Sequence, residues 1–414
     1  MKYIVFDDAC WENFLPFTHT RPTGDLRAGI FKLRQKIGLI FKFKPDNVVI
    51  RKDLKKICEK RHPSWCVNMC PKTGDYMFIN SRLRTHDYAL IRAEIKKLKI
   101  NQKLVLKNDI IAFRLKLNSH THFHTEDLHK LYDGLESVIS KVEKPLWNYT
   151  WEILKYNGDM ILEDWKMAFR DDDEDFAEVE LGVIVINPYS VWIGAGTNIK
   201  PGVILDATSG PILIDESVEI KHNAVILGPA YIGKHSIINA GTRICKNTSI
   251  GPNCRIGGEI ADSIFQGFSN KQHDGYLGKS YIGEWVNIGA GTNNSDLKNN
   301  YKNVKSWFYP AKSKIDTGEL FLGCFIGDHS KIGINCAINT GTVIGIGANI
   351  YGSELISDYI DSFSWGDGKN RSEYDFDKFI ETASVVKKRR DEMLIDEEIE
   401  VLRNIINRIK NLSY

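Results

Sequence analysis

The sequence predicts an α/β amino-terminal domain, then a parallel β-helix, then a helical tail. Three observations predict this order: isoleucine recurs every six residues in the central part, the first 178 residues alternate short apolar runs with helical patterns, and helical spacing returns after residue 363. The longest unbroken series is Ile214, Ile220, Ile226, Ile232, Ile238, Ile244, Ile250 and Ile256. A second series is Ile326, Ile332, Ile338, Ile344, Ile350 and Ile356. A hexapeptide repeat of this kind is typical of a parallel β-helix.

The dimensions of the coil follow from the repeat. Six extended residues at about 3.3 Å each form one flat side of roughly 20 Å. Three sides close a triangular coil, so every third isoleucine lies above the previous one, about 4.8 Å along the stack. Glycine often follows the isoleucine, as in Ile193-Gly194 and Ile232-Gly233, and allows the turn at the corner. The period does not determine the handedness of the coil.

The composition is that of a soluble globular protein, because 43% hydrophobic and 26% charged residues are ordinary proportions. A net charge of +2 gives no electrostatic reason to expect binding to nucleic acid or to a membrane surface. No apolar stretch approaches the length of a bilayer span, and the first residues, MKYIVFDD, do not resemble a signal peptide. The eight cysteines are widely spread, which favours reduced thiols and a cytoplasmic location.

Residues 1–178 are expected to form the α/β domain. Apolar runs predict strands at Tyr3–Phe6, Asn47–Ile50, Tyr76–Ile79 and Leu104–Leu106. Helical spacing predicts helices at Ile30–Ile40, Tyr88–Leu98 and Glu126–Lys141. The acidic run at residues 171–175 then marks a break, which we interpret as a solvated linker rather than a metal site, because it offers charge without converging geometry. The coil is therefore expected at residues 179–362 and the helical tail at 363–414.

In the tail, apolar residues recur on one helical face. The first set is Phe376, Phe379, Ile380, Ala383 and Val386, and the second is Ile399, Leu402, Ile405 and Ile409. We expect these helices to flank or cap the coil and to protect an exposed sheet edge.

The coil loses its strict period at residues 257–281 and 289–325, and loops that leave a rigid scaffold often carry binding sites. The segment from Gly267 to Tyr301 contains His273, then Tyr276-Leu277-Gly278, then the run NIGAGT at 287–292. This pattern resembles the left-handed β-helix domain of the sugar-1-phosphate nucleotidyltransferases, which include bifunctional uridyltransferase/acetyltransferases. The resemblance implies a left-handed coil that assembles as a homotrimer, with each acyl site lined by neighbouring subunits.

The same resemblance implies roles for individual residues. His273 would be the general base, which takes a proton from a sugar amine as the nitrogen attacks the thioester of acetyl-CoA, and an imidazole titrates in the right range for this task. Tyr276 would lie near the sugar phosphate and Ala290 against acetyl-CoA. Further residues expected to contact substrate are Lys271, Asp296, Lys298 and Lys302, with the lysines binding phosphate by charge.

Two positions depart from the family pattern, and they leave the acceptor sugar open. The related acetyltransferases carry an Asn-Tyr pair where this chain has Asp296-Leu297, and an arginine where it has Gly257. His222, His235 and His329 lie in the coil without such a motif and are interpreted as structural.

The amino-terminal segment from Leu15 to Ile30, LPFTHTRPTGDLRAGI, resembles the signature of the same nucleotidyltransferases and of a shorter, divergent branch of them. By this resemblance Arg21 and Arg27 would contact nucleotide or sugar phosphates, and Mg²⁺ can accompany the reaction. The usual glycine-rich loop is replaced by residues 6–12, FDDACWE, and the usual lysine by Thr23. Asn80 is the nearest counterpart of the family's metal ligand. Two alternatives stay open, an active nucleotidyltransferase and a degenerate substrate-binding domain.

Two further clusters have metal-ligand residue types. Cys58, His62, Cys66 and Cys70 are four residues apart, but Pro63 interrupts any helix that would align them. His120, His122 and His124 alternate as on one strand face. For both clusters a structural interpretation is favoured over a metal site.

Together these patterns predict a cytoplasmic two-domain transferase that acts on sugar-1-phosphate, nucleoside triphosphate and acetyl-CoA. Two rivals stay open: only one of the activities, with the coil serving assembly, or a sugar-nucleotide-binding scaffold without turnover. The sequence does not identify the sugar, the nucleobase or the acyl group.

Overall fold

The computed structural model describes residues 1–86, 88–169 and 179–412, with side chains up to residue 410. The predicted linker at 171–175 therefore lies outside the described residues. The chain forms two compact units. The first comprises Met1–Leu26, Phe31–Thr150 and Asp396–Leu402, and the second comprises Arg27–Ile30 and the described residues within 151–395 and 403–412.

The predicted boundary at residue 178 lies outside the described residues and stays a prediction. The helix Asn157–Ala168 belongs to the second unit. It is attached there because the amide of Asn157 donates to the backbone oxygen of Asn247 (2.8 Å) and to the hydroxyl of Ser249 (3.0 Å).

The first unit is built on a mixed seven-stranded sheet. Its strands are β1 (Lys2–Phe6), β2 (Asn47–Val49), β3 (Cys66–Val67), β4 (Gly74–Asn80), β5 (Gln102–Leu106), β6 (Asp109–Leu117) and β7 (Glu136–Ile139). The order across the sheet is β3-β2-β1-β4-β6-β5-β7. Strands β3, β2, β1 and β4 are parallel, whereas β6 is antiparallel to both β4 and β5. The four predicted strands are confirmed, and the carboxyl ends of β1, β2 and β4 meet at one edge.

The helices before the coil are α1 (Leu33–Phe41), α2 (Lys55–Arg61), α3 (Ala89–Lys97), α4 (His129–Tyr132), α5 (Thr150–Lys155) and α6 (Asn157–Ala168). Short 3₁₀ turns lie at Ala9–Phe14, Phe17–His19, Thr23–Asp25, Lys52–Leu54 and Thr125–Asp127, and two-residue strands at Arg27–Ala28 and Phe31–Lys32. The helices predicted at Ile30–Ile40 and Tyr88–Leu98 are thus confirmed, the first with a later start.

The helix predicted at Glu126–Lys141 is wrong. The structure has the short helix α4, then strand β7, which pairs in parallel with β5. Gly134 disfavours continuation of the helix, and the β-branched Val138 and Ile139 favour the strand that follows.

The second unit contains the predicted parallel β-helix, whose three walls are three parallel sheets. The first wall is Ile184–Ile186, Ile204–Asp206, Val225–Leu227, Arg243–Ile244, Glu259–Ala261 and Tyr276–Gly278, with the pair Asn293–Asn294 and Ala337–Ile338 further along. The second is Val191–Ile193, Ile212–Ile214, Ala230–Ile232, Thr248–Ile250, Ile264–Gly267, Tyr281–Glu284, Phe325–Ile326, Val343–Ile344 and Tyr359–Ile360. The third is Asn198–Ile199, Glu219–Ile220, Ile237–Ile238, Arg255–Ile256, Asn270–Lys271, Asn287–Ile288, Lys331–Ile332, Asn349–Ile350 and Ser364–Gly366, to which Arg371–Glu373 adds an antiparallel strand.

The predicted isoleucine columns are confirmed by the strand register. In the second wall Ile214 pairs with Ile232, and Ile232 with Ile250. Their side chains are fully buried, and the period therefore identifies the core of the coil. The handedness of the coil stays a prediction from the resemblance.

Between Asn294 and Phe325 the chain leaves the coil and forms an antiparallel hairpin, Lys305–Phe308 with Ser313–Asp316. After the coil follow α7 (Phe376–Lys388) and α8 (Asp396–Leu412). On the predicted faces, Phe379, Ala383, Leu402 and Ile405 are buried. Helix α7 and the residues after it flank the coil, since Lys387 lies 5.3 Å from the ring centre of Trp285 and Arg390 donates to Asn270 (2.9 Å). No helix of the described residues is both long enough and apolar enough to span a bilayer.

Candidate functional sites

The first candidate site is the loop at residues 272–275, between the strands Asn270–Lys271 and Tyr276–Gly278. Lys271 pairs with Ile256 in the third wall, so it occupies a position that isoleucine fills on the preceding coil. Its side chain is fully buried. The ammonium donates to the backbone oxygens of His273 (2.6 Å) and Asp274 (2.9 Å). Lys271 therefore holds the loop from inside the core. In this structure its ammonium is occupied by the loop carbonyl oxygens, and the predicted phosphate contact stays a prediction.

Burial lowers the pKa of the Lys271 ammonium to about 8, because the core solvates the charge poorly. The two carbonyl oxygens supply the hydrogen bonds that a buried ammonium requires.

The loop presents His273 to solvent, whereas its backbone is packed against the coil. The amide of Asn239 donates to the backbone oxygen of Gln272 (2.7 Å). A Cβ added at Gly257 would lie 2.2 Å from that same oxygen, so a side chain does not fit there. This close approach is the physical reason that residue 257 of this chain is glycine.

Tyr276 and Asp296 form a second part of this region. The Tyr276 hydroxyl donates to the Asp296 carboxylate (2.9 Å), and the backbone N–H of Tyr276 donates to the side-chain oxygen of Asn293 (2.7 Å). Burial, and then the neighbouring Asp296 carboxylate, raise the pKa of Tyr276 above its usual range. A Cβ at Gly278 would lie 2.1 Å from the Tyr276 hydroxyl, so glycine leaves room for this bond. The structure thus brings together two of the residues expected from the sequence.

Asn294 is a site residue that our sequence reasoning missed. It is buried and pairs with Ile338 in the first wall. Its side-chain oxygen accepts from Gly278 N (2.8 Å), and its amide donates to Gly278 O (2.9 Å). The sequence contains a signal for this residue, because the hexapeptide repeat places a core position every six residues. Counting six residues forward from Ile288 gives Asn294, and counting six back from Leu277 gives Lys271.

The other expected residues of this region make local contacts. Lys298 donates to the backbone oxygen of Asn303 (2.9 Å), and Lys302 is exposed. Ala290 is partly buried, and its backbone oxygen accepts from Asn335 N (2.7 Å). Their substrate contacts stay predictions.

The second candidate site lies at the carboxyl end of β1, in the first unit. Asp7 follows this strand and is buried, and its carboxylate accepts from Thr23 N (2.8 Å) and the Ser81 hydroxyl (2.6 Å). Burial raises the pKa of Asp7 to about 6, although the donated hydrogen bonds oppose the shift. Asp7 therefore ties the turn at Thr23–Asp25 to the sheet edge where parallel sheets commonly bind ligands.

Asp8, the next residue, belongs to an ionic cluster. Arg82 is fully buried and donates to the carboxylates of Asp8 (2.6 Å) and Asp109 (2.9 Å). In the described ranges, Asp8, Cys10 and Asp109 are the group whose potential metal-ligand atoms converge, within 4.8 Å of one another. Magnesium prefers oxygen ligands, whereas Cys10 offers a soft sulfur and Arg82 already neutralises both carboxylates. These residues do not fit the Mg²⁺ ion that the resemblance allows.

A pocket of about 260 Å³ opens beside Asp8. Its lining combines aromatic rings with acidic and imidazole groups: Asp8, Ala9, Trp11, Thr125, Glu126, Leu128, His129 and Tyr132. The ring of Trp11 also lies 3.6 Å from the guanidinium of Arg51, which follows β2. The lining places the carboxylates of Asp8 and Glu126 beside the rings of Trp11 and Tyr132.

Arg21 and Arg27, the two expected phosphate contacts, are buried and bonded to backbone. Arg21 donates to Phe17 O (3.2 Å). Arg27 belongs to the second unit, where its guanidinium donates to Ile30 O (2.6 Å) and Gln266 O (3.4 Å). Both side chains are buried in this structure, which favours a structural role, and their phosphate contacts stay predictions.

The two metal-like clusters make ordinary contacts. The Cys66 thiol lies 3.3 Å from Met69 O, and the ring of His62 stacks on Trp65 with centres 3.9 Å apart. In the alternating histidines, His124 Nδ1 pairs with the Asn68 amide (2.9 Å) and His122 forms a β-bridge with Met69.

Comparison with known proteins relates parts of this chain to sugar nucleotidyltransferases and to bifunctional transferases. Residues 3–172 match a family model described as sugar nucleotidyl transferase. A bifunctional sugar-1-phosphate nucleotidylyltransferase/acetyltransferase of Sulfurisphaera tokodaii is 38% identical over 155 residues, which are 36% of this chain and 37% of that protein. The bifunctional protein GlmU of Thermotoga maritima is 27% identical over 238 residues, or 52% of this chain and 47% of that protein.

Among solved structures, the UDP-N-acetylglucosamine acyltransferase of Campylobacter jejuni shares 13% identity, with a TM-score of 0.28 over 55% of this chain and 96% of that one. The chain spans less than half the length of the curated relatives named above. The match of residues 3–172 and the bifunctional relatives confirm the predicted resemblance of this chain to the sugar-1-phosphate nucleotidyltransferase family, which includes bifunctional nucleotidylyltransferase/acetyltransferases.

Proposed function

We propose that this protein is a sugar-nucleotide transferase with two sites, an acetyltransferase site at the His273 loop and a nucleotidyl site at the carboxyl end of β1. The observation that carries the acetyltransferase site is the exposed imidazole of His273 on a loop whose backbone is bonded to a buried ammonium. A loop of small and polar residues without such support would be mobile, and general base catalysis requires a positioned group.

In the proposed reaction a sugar amine attacks the thioester carbonyl carbon of acetyl-CoA. His273 accepts the proton that the nitrogen loses, the C–S bond breaks, and coenzyme A leaves as the thiol after the imidazolium returns the proton. Backbone N–H groups of the coil would stabilise the oxyanion that forms at the carbonyl oxygen. The products are the N-acetyl sugar and free coenzyme A.

The remaining contacts are part of the proposal. Tyr276, oriented by Asp296, would contact the sugar phosphate, Lys298 and Lys302 would bind it by charge, and Ala290 would pack against acetyl-CoA. We place this reaction in a cytoplasmic homotrimer in which neighbouring coils complete each acyl site.

The test of the acetyltransferase is a thiol-release assay with acetyl-CoA and a panel of amino-sugar-1-phosphates. We expect His273→Ala to lower kcat by about a hundredfold or more. The matched control is His222→Ala, which removes another exposed imidazole of the coil and should retain full activity. Equal activity of wild type and His273→Ala, or no thiol release by the wild type, would contradict the proposal.

The nucleotidyl site is supported by the family match over residues 3–172 and by the pocket beside Asp8. Its test is pyrophosphate release from a panel of nucleoside triphosphates and sugar-1-phosphates, with and without added Mg²⁺. Tyr132→Ala removes a ring from the pocket wall and should raise KM about tenfold, whereas Tyr189→Ala removes an exposed ring of the coil as the control. Calorimetric binding of nucleotide without any pyrophosphate release would favour the degenerate binding domain instead.

A further inference from the structure

We propose that Lys271 is a positioning residue that sets the orientation of His273 through the backbone of the loop at residues 272–275. In this arrangement a buried ammonium takes the place of an isoleucine in the core of the coil and holds the loop that carries His273. We call the two hydrogen bonds from Lys271 to the loop the lysine clamp. The effect of the clamp on catalysis rests on the proposed acetyltransferase function, whereas the clamp itself does not depend on that function.

The position of Lys271 is the first observation. Along the third wall, isoleucines at 220, 238 and 256 are in register, and Lys271 follows Ile256. An isoleucine there would keep the column apolar, whereas an ammonium has to be desolvated when it is buried. The residue is therefore unfavourable for the core by itself, and its hydrogen bonds have to compensate.

The second observation concerns the acceptors of the hydrogen bonds that Lys271 donates. Both acceptors, His273 O and Asp274 O, belong to the loop, at 2.6 and 2.9 Å. Hydrogen bonds from a charged donor in a buried setting are stronger than neutral ones. The ammonium thus fixes the two peptide groups that flank Asp274, and the first of them follows His273 directly. Fixing this peptide group restricts the direction in which the imidazole leaves the chain.

The backbone around the clamp is shaped to admit it. A Cβ added at Gly275 would lie 3.0 Å from the Lys271 ammonium, and Gly275 has a φ of +125°. Gly291 N donates to Asp274 O, the same oxygen that Lys271 contacts (2.9 Å). The loop is therefore bonded to the core lysine and to the next coil.

A second lysine, which is partly buried, provides a control. The Lys331 ammonium donates to Trp285 O (2.6 Å), and burial lowers its pKa to about 8, as for Lys271. Lys331 lies in the same wall, in register with Asn287, but none of its described hydrogen bonds reaches residues 272–275. Lys331→Met thus removes a partly buried ammonium that also donates to a backbone oxygen, without touching the loop.

The experiment compares full-length Lys271→Ile, Lys271→Met and Lys331→Met in two measurements. Hydrogen exchange followed by mass spectrometry should show about tenfold faster exchange across residues 272–278 in both Lys271 variants and no change in Lys331→Met. The acetyl-transfer kcat should fall about tenfold to a hundredfold in the Lys271 variants, with KM for acetyl-CoA within about twofold of wild type. Unfolding temperatures should be no lower for Lys271→Ile than for Lys331→Met.

The double variant Lys271→Ile/His273→Ala separates positioning from a direct role. If Lys271 acts through His273, the double variant loses no more activity than His273→Ala alone. Unchanged exchange in both Lys271 variants, or a further loss in the double variant, would overturn the proposal. If the wild type transfers no acetyl group, the proposed function fails, and the exchange measurement still decides whether the clamp exists.

Discussion

Replacing Arg27 by methionine distinguishes a phosphate-binding arginine from a structural one. Its guanidinium is buried, donates to Ile30 O (2.6 Å) and to Gln266 O (3.4 Å), and lies 5.2 Å from the ring centre of Tyr231. Methionine keeps much of the volume and removes all three interactions. We therefore expect a loss of stability in the second unit.

The size of the loss follows from these contacts. A hydrogen bond from a charged donor contributes about 1.5–3 kcal/mol, and the short bond to Ile30 should lie in that range. The long bond to Gln266 adds little, and the contact with the Tyr231 ring adds about 0.5–2 kcal/mol. The variant no longer has to desolvate a charge, which offsets part of the stability lost with these contacts. The net loss of unfolding free energy should therefore be about 2–3 kcal/mol. For a unit of this size that lowers the unfolding temperature by roughly 5–10 °C.

The assay is thermal unfolding followed by far-ultraviolet circular dichroism, with Arg243→Met as the control. Arg243 is two-thirds exposed and pairs with Glu259 on the coil surface, so its loss should cost less than about 1 kcal/mol. If Arg27→Met unfolds at the wild-type temperature but loses nucleotidyl transfer, the structural role of Arg27 is refuted. That result would support a role of Arg27 in phosphate binding instead.

Two other predictions follow from the candidate sites. Gly278→Ala should displace the Tyr276 hydroxyl from Asp296 and raise KM for the sugar substrate about tenfold; Tyr276→Phe should reproduce the effect, and an unchanged KM in both would contradict the role of this pair. Asp7 has a folded-state pKa of about 6, above its ordinary value near 3.9, so the folded state binds more protons between those values. Wild-type stability should therefore fall by about 2 kcal/mol as the pH rises from 4 to 6. Asp7→Asn cannot titrate and should lack this dependence in denaturant titrations across that range, whereas parallel pH profiles of the two proteins would refute it.

Local patterns were sufficient to predict the coil and much of the first sheet. Isoleucines 214, 232 and 250 stack as their spacing requires, because a regular period constrains every turn of a coil in the same way. The helix predicted across Glu126–Lys141 was wrong, although the apolar spacing suits a helix. Parallel pairing of Glu136–Ile139 with the strand Gln102–Leu106 decided the conformation instead. The surrounding motif, and not the residue type, made His273 a candidate, since His222, His235 and His329 lack that motif.

The roles of the charged residues required the structure. Lys271 and Arg27 have the residue types that bind phosphate, and the sequence assigned them to substrate for that reason. Whether a cation faces solvent or the core depends on the chain segments packed around it, which lie up to 239 positions away in the case of Arg27 and Gln266. The sequence by itself therefore determined the repeat and the strands, since these depend on local spacing, and its motif made His273 the candidate that the proposed function uses. Only the tertiary structure decided which charges are buried, because burial is a property of long-range packing.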